Sequence, residues 1–163
     1  MFYKIRAPLF EVSQSGIHGR GAFALNRIRK GTRIIEYTGE RISSGEGDRR
    51  YRVDGQSHYH TFLFTVDEDI CIDAGRHGNA ARFINHSCRP NCQAVNDGGR
   101  IFIEAIRTLQ PGDELTYDYN MVGVTPRTRA EKALYVCMCG AASCRGTMLQ
   151  QARSRFHTSR KRS

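Results

Sequence analysis

The chain has 163 residues, 39% hydrophobic and 25% charged, with a formal net charge of +9. That length suits one domain with a core of its own, and the composition excludes a collagen-like or low-complexity chain. No run of about 18 apolar residues is present, which excludes a membrane-spanning helix, and the charges and proline of the first ten residues argue against a secretory signal.

Short apolar segments punctuated by turn signals predict a mostly β chain. Residues 33–37 (RIIEY) are rich in β-branched side chains and follow Lys30-Gly31. Residues 41–60 are polar and interrupted by glycine, which predicts a loop or an irregular helical insert. Residues 61–66 (TFLFTV) and 70–73 (ICID) have strand character. A short helical piece is expected around 79–84. Residues 100–105 (RIFIEA) alternate after Asp97-Gly98-Gly99, which predicts a hairpin turn. Residues 114–117 follow the turn pair Pro111-Gly112. A turn or two of helix is expected at 130–135.

The charge is uneven. Arg153, Arg155, Arg160, Lys161 and Arg162 fall at the C-terminal end with no acidic residue among them. Such a tail suits an anionic partner, a nuclear address or simply a solvated terminus.

Six cysteines are present. Three form Cys137-x-Cys139-x4-Cys144, a spacing that lets one short loop wrap a metal ion. A tetrahedral zinc site needs a fourth ligand, for which Cys71, Cys88, Cys92 and a histidine are all candidates. Four protein ligands leave no open position, so the zinc would be structural, and it would supply folding free energy to a segment with little core of its own.

Other motifs carry chemistry in outline only. Arg82-Phe83-Ile84-Asn85-His86-Ser87-Cys88 sets hydrogen-bonding residues directly after an apolar pair. Asn85 has the donors and acceptor to read a purine-like edge. His86 fits a base, a ligand or a structural hydrogen-bonder. Tyr117 and Tyr119 lie two apart on an extended segment and so share a face. With Tyr37 they suit either an aromatic core or a phenol-lined channel that orients an amine. Gly19 and Gly21 let backbone approach a ligand closely, but no third glycine or following Gly-Lys-Ser completes a nucleotide motif.

Taken in order, HGRG (18–21), EYTGE (36–40), Asp73-Ala74, Gly78-Asn79, RFINHSC (82–88), GDELTYDY (112–119) and the cysteine loop resemble the SET-domain protein-lysine methyltransferases with a post-SET zinc segment. The likeness runs from about 12 to 149 and is nearest the trithorax-type subgroup. It implies a β-clip-like fold of small curved sheets with a pseudoknot around 85–86. It also implies a SET domain over 8–121, a post-SET segment over 133–149 and a basic disordered tail over 150–163. S-adenosylmethionine would be held by His18, Gly19, Arg20, Phe62, Arg82, Phe83, Asn85 and His86. Tyr119, Tyr37 and Tyr117 would form the catalytic lysine channel. Cys88 would join Cys137, Cys139 and Cys144 on a structural zinc ion, leaving Cys71 and Cys92 as core thiols.

The resemblance implies methylation of lysines in histones or a basic nucleoid-like protein. Tyr117 at the family's Phe/Tyr position favours monomethylation. Phe62 departs from the tyrosine of many relatives, so a hydroxyl is missing from the donor pocket. Acidic residues Glu40, Glu46, Asp48, Asp54, Asp67, Glu68 and Asp69 would attract a basic peptide. An intracellular setting is expected: nuclear or chromosome-associated in a eukaryote or a host, cytoplasmic in a bacterium. The tail adds weak nucleic-acid contact. The competing readings are a zinc-stapled basic chromatin-binding module and an inactive pseudo-methyltransferase. The intact Asn85, His86 and Tyr119 favour the enzyme.

Overall fold

The computed structural model describes residues 7–51, 62–122 and 125–150. The basic tail, the rest of the polar insert with Asp54, and Thr61 lie outside these. Three small sheets make up the body. The first has the order β1 (Phe10–Gln14), β2 (Arg20–Ala24), β10 (Glu114–Tyr117), β7 (Asn85–His86). The second orders β3 (Arg33–Tyr37), β9 (Arg100–Ala105) and β8 (Cys92–Asp97), and the third β4 (Glu40–Ser43), β6 (Ile70–Asp73) and β5 (Leu63–Thr65).

The expected strands at 33–37, 70–73, 100–105 and 114–117 form. The strand expected at 61–66 is Leu63–Thr65. The β8–β9 hairpin turns on Gly98 and Gly99, at φ 59° and 84°, where a side chain would be strained. The helical piece at 79–84 is a 3-10 turn, Ala80–Phe83, whose Ala81 N–H donates to the Asn79 side chain.

The polar insert begins with order that its glycines concealed: β4, then helix α1 (Ser44–Arg50). Ser43 caps the helix, accepting from Glu46 N. Arg50 binds Glu46, Glu40 and the buried Asp73. Gly47 faces Leu63 closely enough that a Cβ would touch its methyl. A second helix, α2 (Arg129–Ala133), carries a capping box of Thr128 and Glu131. No helix among the described residues is long and apolar enough to cross a membrane.

The core lies between the sheets and is filled by Ile28, Ile84, Ile101, Ile103, Leu109 and Leu115, all fully buried. Cys71 and Cys92 belong to this core as expected. β10 sits between an antiparallel partner, β2, and a parallel one, β7. Its register sets Thr116 against Asn85 and Tyr117 against His86. Asn91 stands in for a missing strand: its side chain accepts from Thr116 N and donates to Glu114 O. That pairing brings two motifs some thirty residues apart onto one sheet edge.

Candidate active site and cysteine cluster

A cavity of about 1160 Å³ opens beside the β7–β10 edge, lined among others by His18, Phe62, Arg82, Asn85, Tyr119 and Met138. It is large enough for a nucleoside-sized ligand together with a side chain. Of the residues singled out in the sequence, His18, Tyr37, Phe62, Arg82, Asn85, His86, Tyr117 and Tyr119 line it, while Gly19, Arg20 and Phe83 stand behind that lining.

Asn85 ties down one wall. Its amide nitrogen lies within 2.9–3.2 Å of Ser15 Oγ, the His18 and Arg20 carbonyls and Glu114 Oε1. Ser15 Oγ in turn donates to Glu114 Oε1 at 2.7 Å. Asn85 therefore fastens the 15–20 loop through its nitrogen. The two glycines of the loop have separate reasons. Gly19 adopts φ 46°. Gly21 leaves room for Glu114, because a Cβ there would stand 2.3 Å from the carboxylate oxygen. Ser15 and Glu114 were not singled out as site residues in the sequence. Glu114 sits within GDELTYDY but gave no sign of its partner 29 residues away.

Arginines and aromatics form the next stretch of wall. Arg20 and Arg82 both stack their guanidinium groups on Phe83, at 4.4 and 4.8 Å from the ring centre. Arg82 also lies 5.4 Å over Phe62, which meets Phe83 edge-on. Phe62 thus fills its place by stacking. Arg82 Nη1 donates to the Ala74 carbonyl, while its Nε is buried without a hydrogen-bond partner among the described residues. A buried N–H so placed beside the cavity favours an acceptor on a ligand.

The three phenols stand together. Tyr117 and Tyr119 have ring centres 4.9 Å apart, and Phe64 bridges from Tyr117 to Tyr37 at 6.3 and 5.3 Å. Burial pushes all three phenols up from their ordinary value, so none ionises near neutrality. Tyr119 donates its hydroxyl proton to Ile84 O and Tyr37 donates its own to Phe62 O, both at 2.9 Å. A phenol has one proton to give. Each oxygen is left with lone pairs, able to accept from an amine N–H.

Behind Tyr119 lies the cysteine cluster. Cys88, Cys137, Cys139 and Cys144 place their sulfurs within 4.8 Å of one another. The Cys88 sulfur is 3.6 Å from that of Cys137 and 3.9 Å from that of Cys144. A tetrahedral zinc ion with bonds of about 2.3 Å separates its sulfurs by close to these distances. The backbone N–H groups of Cys139, Arg145 and Gly146 point at the sulfurs of Cys137, Cys88 and Cys144, an arrangement that favours thiolates. The four residues fit zinc, and Cys88 emerges from the candidate ligands as the fourth.

Cluster and phenols are joined. Tyr119 N donates to His86 Nδ1 at 3.1 Å, so the ring proton belongs on Nε2, 3.5 Å from Cys88 Sγ. Burial lowers His86 from its ordinary value, and the ring stays neutral. Of the three roles open to it in the sequence, the geometry selects structural hydrogen-bonder. Arg145, from within the cysteine loop, reaches Asp118 between the two tyrosines. The loop is also sewn to the body by the Met121–Leu149 bridge, with Gln150 N donating to Met121 O at 2.9 Å.

The acidic rim is smaller than the sequence implied. Arg50 occupies Glu40 and Glu46, and Asp67 caps the N–H groups of Asp69 and Ile70. Asp48, Glu68 and Asp69 remain exposed without an ion pair among the described residues.

Comparison with known proteins agrees with this layout. Residues 19–120 match the model of the SET domain. The chain is 41% identical over 150 residues to a histone-lysine N-methyltransferase, H3 lysine-4 specific, of Schizosaccharomyces pombe, covering 88% of this chain and 15% of that protein. It is 39% identical over 138 residues to histone-lysine N-methyltransferase trithorax of Drosophila virilis, covering 82% of this chain and 3% of that one. The H3 lysine-4 specific enzyme of Saccharomyces cerevisiae matches at 41% over 141 residues, or 82% and 12%. The chain thus spans less than a sixth of the length of these relatives. With the family model covering more than half of its residues, the chain belongs to the SET-domain family, near the trithorax group.

Proposed function

We propose that this protein transfers a methyl group from S-adenosylmethionine to the ε-nitrogen of lysine in a histone tail, and that it favours the monomethyl product. The observation that carries this reading is that the hydroxyls of Tyr119 and Tyr37 both donate a hydrogen bond to a backbone carbonyl, which leaves each oxygen free to accept. The names of the relatives support a histone substrate, H3 above all.

The body at 8–121 carries the donor and amine sides of the cavity, and the segment at 133–149 closes it from the other side. His18, Phe62, Arg82, Asn85 and His86 line the donor side of the cavity, and Gly19, Arg20 and Phe83 would support the donor from behind them. The unpartnered Arg82 Nε is suited to a carboxylate there, and the Phe62–Phe83 edge to a flat ring. When bound, the donor supplies an electrophilic methyl on a positively charged sulfur. The lysine must arrive neutral, against an ordinary pKa of about 10.4. Burial among Tyr37, Phe64 and Tyr117 disfavours the ammonium form. Tyr119 and Tyr37 then accept from the amine N–H groups, which turns the nitrogen lone pair toward the methyl carbon. A new N–C bond forms as the S–C bond breaks, and the product ammonium gives its extra proton to solvent. Most of the rate derives from this alignment. Tyr119 acts as a neutral phenol throughout, since burial keeps it protonated.

The Tyr117 hydroxyl, carried on a ring packed against Tyr119, crowds the channel and limits the room for a second methyl. The zinc ion would be held by Cys88, Cys137, Cys139 and Cys144, and its role is to fix the loop against the body. Incubation with labelled donor, a panel of histones and a cell lysate tests the reading. Label on a core histone, lost in Tyr119→Phe, supports it; no labelled protein at all would refute it.

A further inference from the structure

The β2–β3 and β9–β10 connections run side by side at the end of β10 away from the tyrosines. Ile28 and Leu109 exchange backbone hydrogen bonds of 3.1 and 2.9 Å, and both are buried. Gly31 N donates to Ala105 O at 2.7 Å, and Lys30 N to Thr108 Oγ1 at 3.4 Å. These bonds make a fixed ledge. From it Arg27, Arg29 and Lys30 are exposed, and the antiparallel bridge sets exposed Arg107 level with Lys30.

Several arginines elsewhere on the body are held by carboxylates, while Arg41 and Arg82 donate to backbone carbonyls. Arg33 holds Asp97 and Glu104, Arg50 holds Glu40 and Asp73, Arg100 holds Glu36, and Arg145 holds Asp118. On the ledge the one such contact among the described residues is Arg107 to Asp113 at 3.9 Å. None of Arg27, Arg29 and Lys30 forms an ion pair with a described residue. Like charges set across a ladder are destabilising, and among the described residues only the long Arg107–Asp113 contact offsets them. A rigid row of guanidinium and ammonium groups, three of them without a carboxylate among the described residues, is suited to phosphates spaced along a strand.

We propose that this ledge binds the phosphate backbone of duplex DNA. Six residue steps, over a span that includes strand β10, carry the chain from Asp113 to Tyr119, at most roughly 20 Å at the rise of a strand. A duplex on the ledge leaves the amine channel open. The inference stands on the ledge geometry. It also complements the proposed substrate, because histone tails emerge from wrapped DNA. An acidic protein face would present carboxylates in place of phosphates and is the alternative that the test separates.

The test is fluorescence anisotropy of the full, zinc-loaded chain with a short mixed-sequence duplex, across a range of salt concentrations. With three or four phosphates engaged, log affinity falls against log salt with a slope of about −3 to −4. Arg29→Glu with Lys30→Glu is expected to weaken binding more than ten-fold and to flatten that slope by about 2. Thermal stability and methyl transfer to a free histone peptide stay as in the wild type. Arg27→Gln with Arg107→Gln gives the same direction without charge reversal, should the first variant fold poorly. Equal duplex affinity in wild type and both variants overturns the proposal, as does tighter binding of polyglutamate than of DNA. DNA binding without methyl transfer would leave the ledge standing and remove the enzyme reading.

Discussion

Arg145 grips Asp118 with two nearly parallel hydrogen bonds, Nη1 to Oδ2 at 2.6 Å and Nη2 to Oδ1 at 2.9 Å. One partner belongs to the cysteine loop and the other lies between Tyr117 and Tyr119. The pair is half-buried, and the guanidinium holds the Asp118 carboxyl below the usual carboxylate range. Exposed pairs contribute up to about 1 kcal/mol, whereas breaking a buried one costs about 3–5 kcal/mol. Arg145→Ala should therefore lose about 1–2 kcal/mol. Chelator-driven zinc release should be faster and methyl transfer slower, with zinc still bound at one per chain. Unchanged release kinetics would show that the pair does not anchor the loop.

Zinc content should follow Cys88. Cys88→Ala removes a ligand 49 residues from its nearest sulfur partner, Cys137, and should leave less than one zinc per chain by atomic emission. The loop should then be cleaved quickly by protease, because metal binding supplies its folding free energy. The sheets should survive, since their core residues Ile28, Ile103 and Leu115 are remote in kind from the cluster. Loss of the β signal in circular dichroism would contradict this division.

The tyrosines should separate in product analysis. Tyr119→Phe removes the acceptor that turns the amine, and a misaligned attack costs on the order of 10²-fold in rate. Tyr117→Phe leaves the ring but deletes its hydroxyl, so mass spectrometry should show more dimethyl- and trimethyl-lysine at little cost to the first transfer. An unaltered product distribution would remove Tyr117 from the control of multiplicity.

Alkaline titration tests the burial of the phenols. Tyr37, Tyr117 and Tyr119 are pushed up by desolvation in the folded protein, against about 10 when unfolded. The folded state holds these protons longer, so the associated stability is fully present below pH 10 and is lost as pH rises toward the folded values. Their phenolate absorbance should appear only with unfolding. The pH–rate profile should show no tyrosine inflection between about pH 7 and 9, because the phenols start to titrate only above about 10. A phenol of this set ionising near pH 8 would restore a general-base role.

Strands with a period of two and defined turns were legible in the sequence: residues 33–37, 70–73, 100–105 and 114–117, and the hairpin at Gly98-Gly99. The elements that escaped it lack such a period. β7 is two residues long, β2 is built largely from glycine and alanine, and α1 contains Gly45 and Gly47. Their order comes from long-range partners, such as Thr116 for Asn85 and Arg50 for Asp73. The site divides in the same way. Cysteine spacing announces a metal loop and the tyrosine pair announces a shared face. No local spacing links Arg145 to Asp118, Glu114 to Asn85, or the Tyr119 backbone to His86. The resemblance supplied the residue set; the tertiary contacts show how it is held.

Calorimetric titration of S-adenosylmethionine into the zinc-loaded chain addresses the central claim most directly. The account predicts one donor per chain and a loss of that binding once zinc is stripped, because the cysteine loop lines the same cavity as His18 and Arg82. A zinc-loaded, folded chain that shows no donor binding would contradict it.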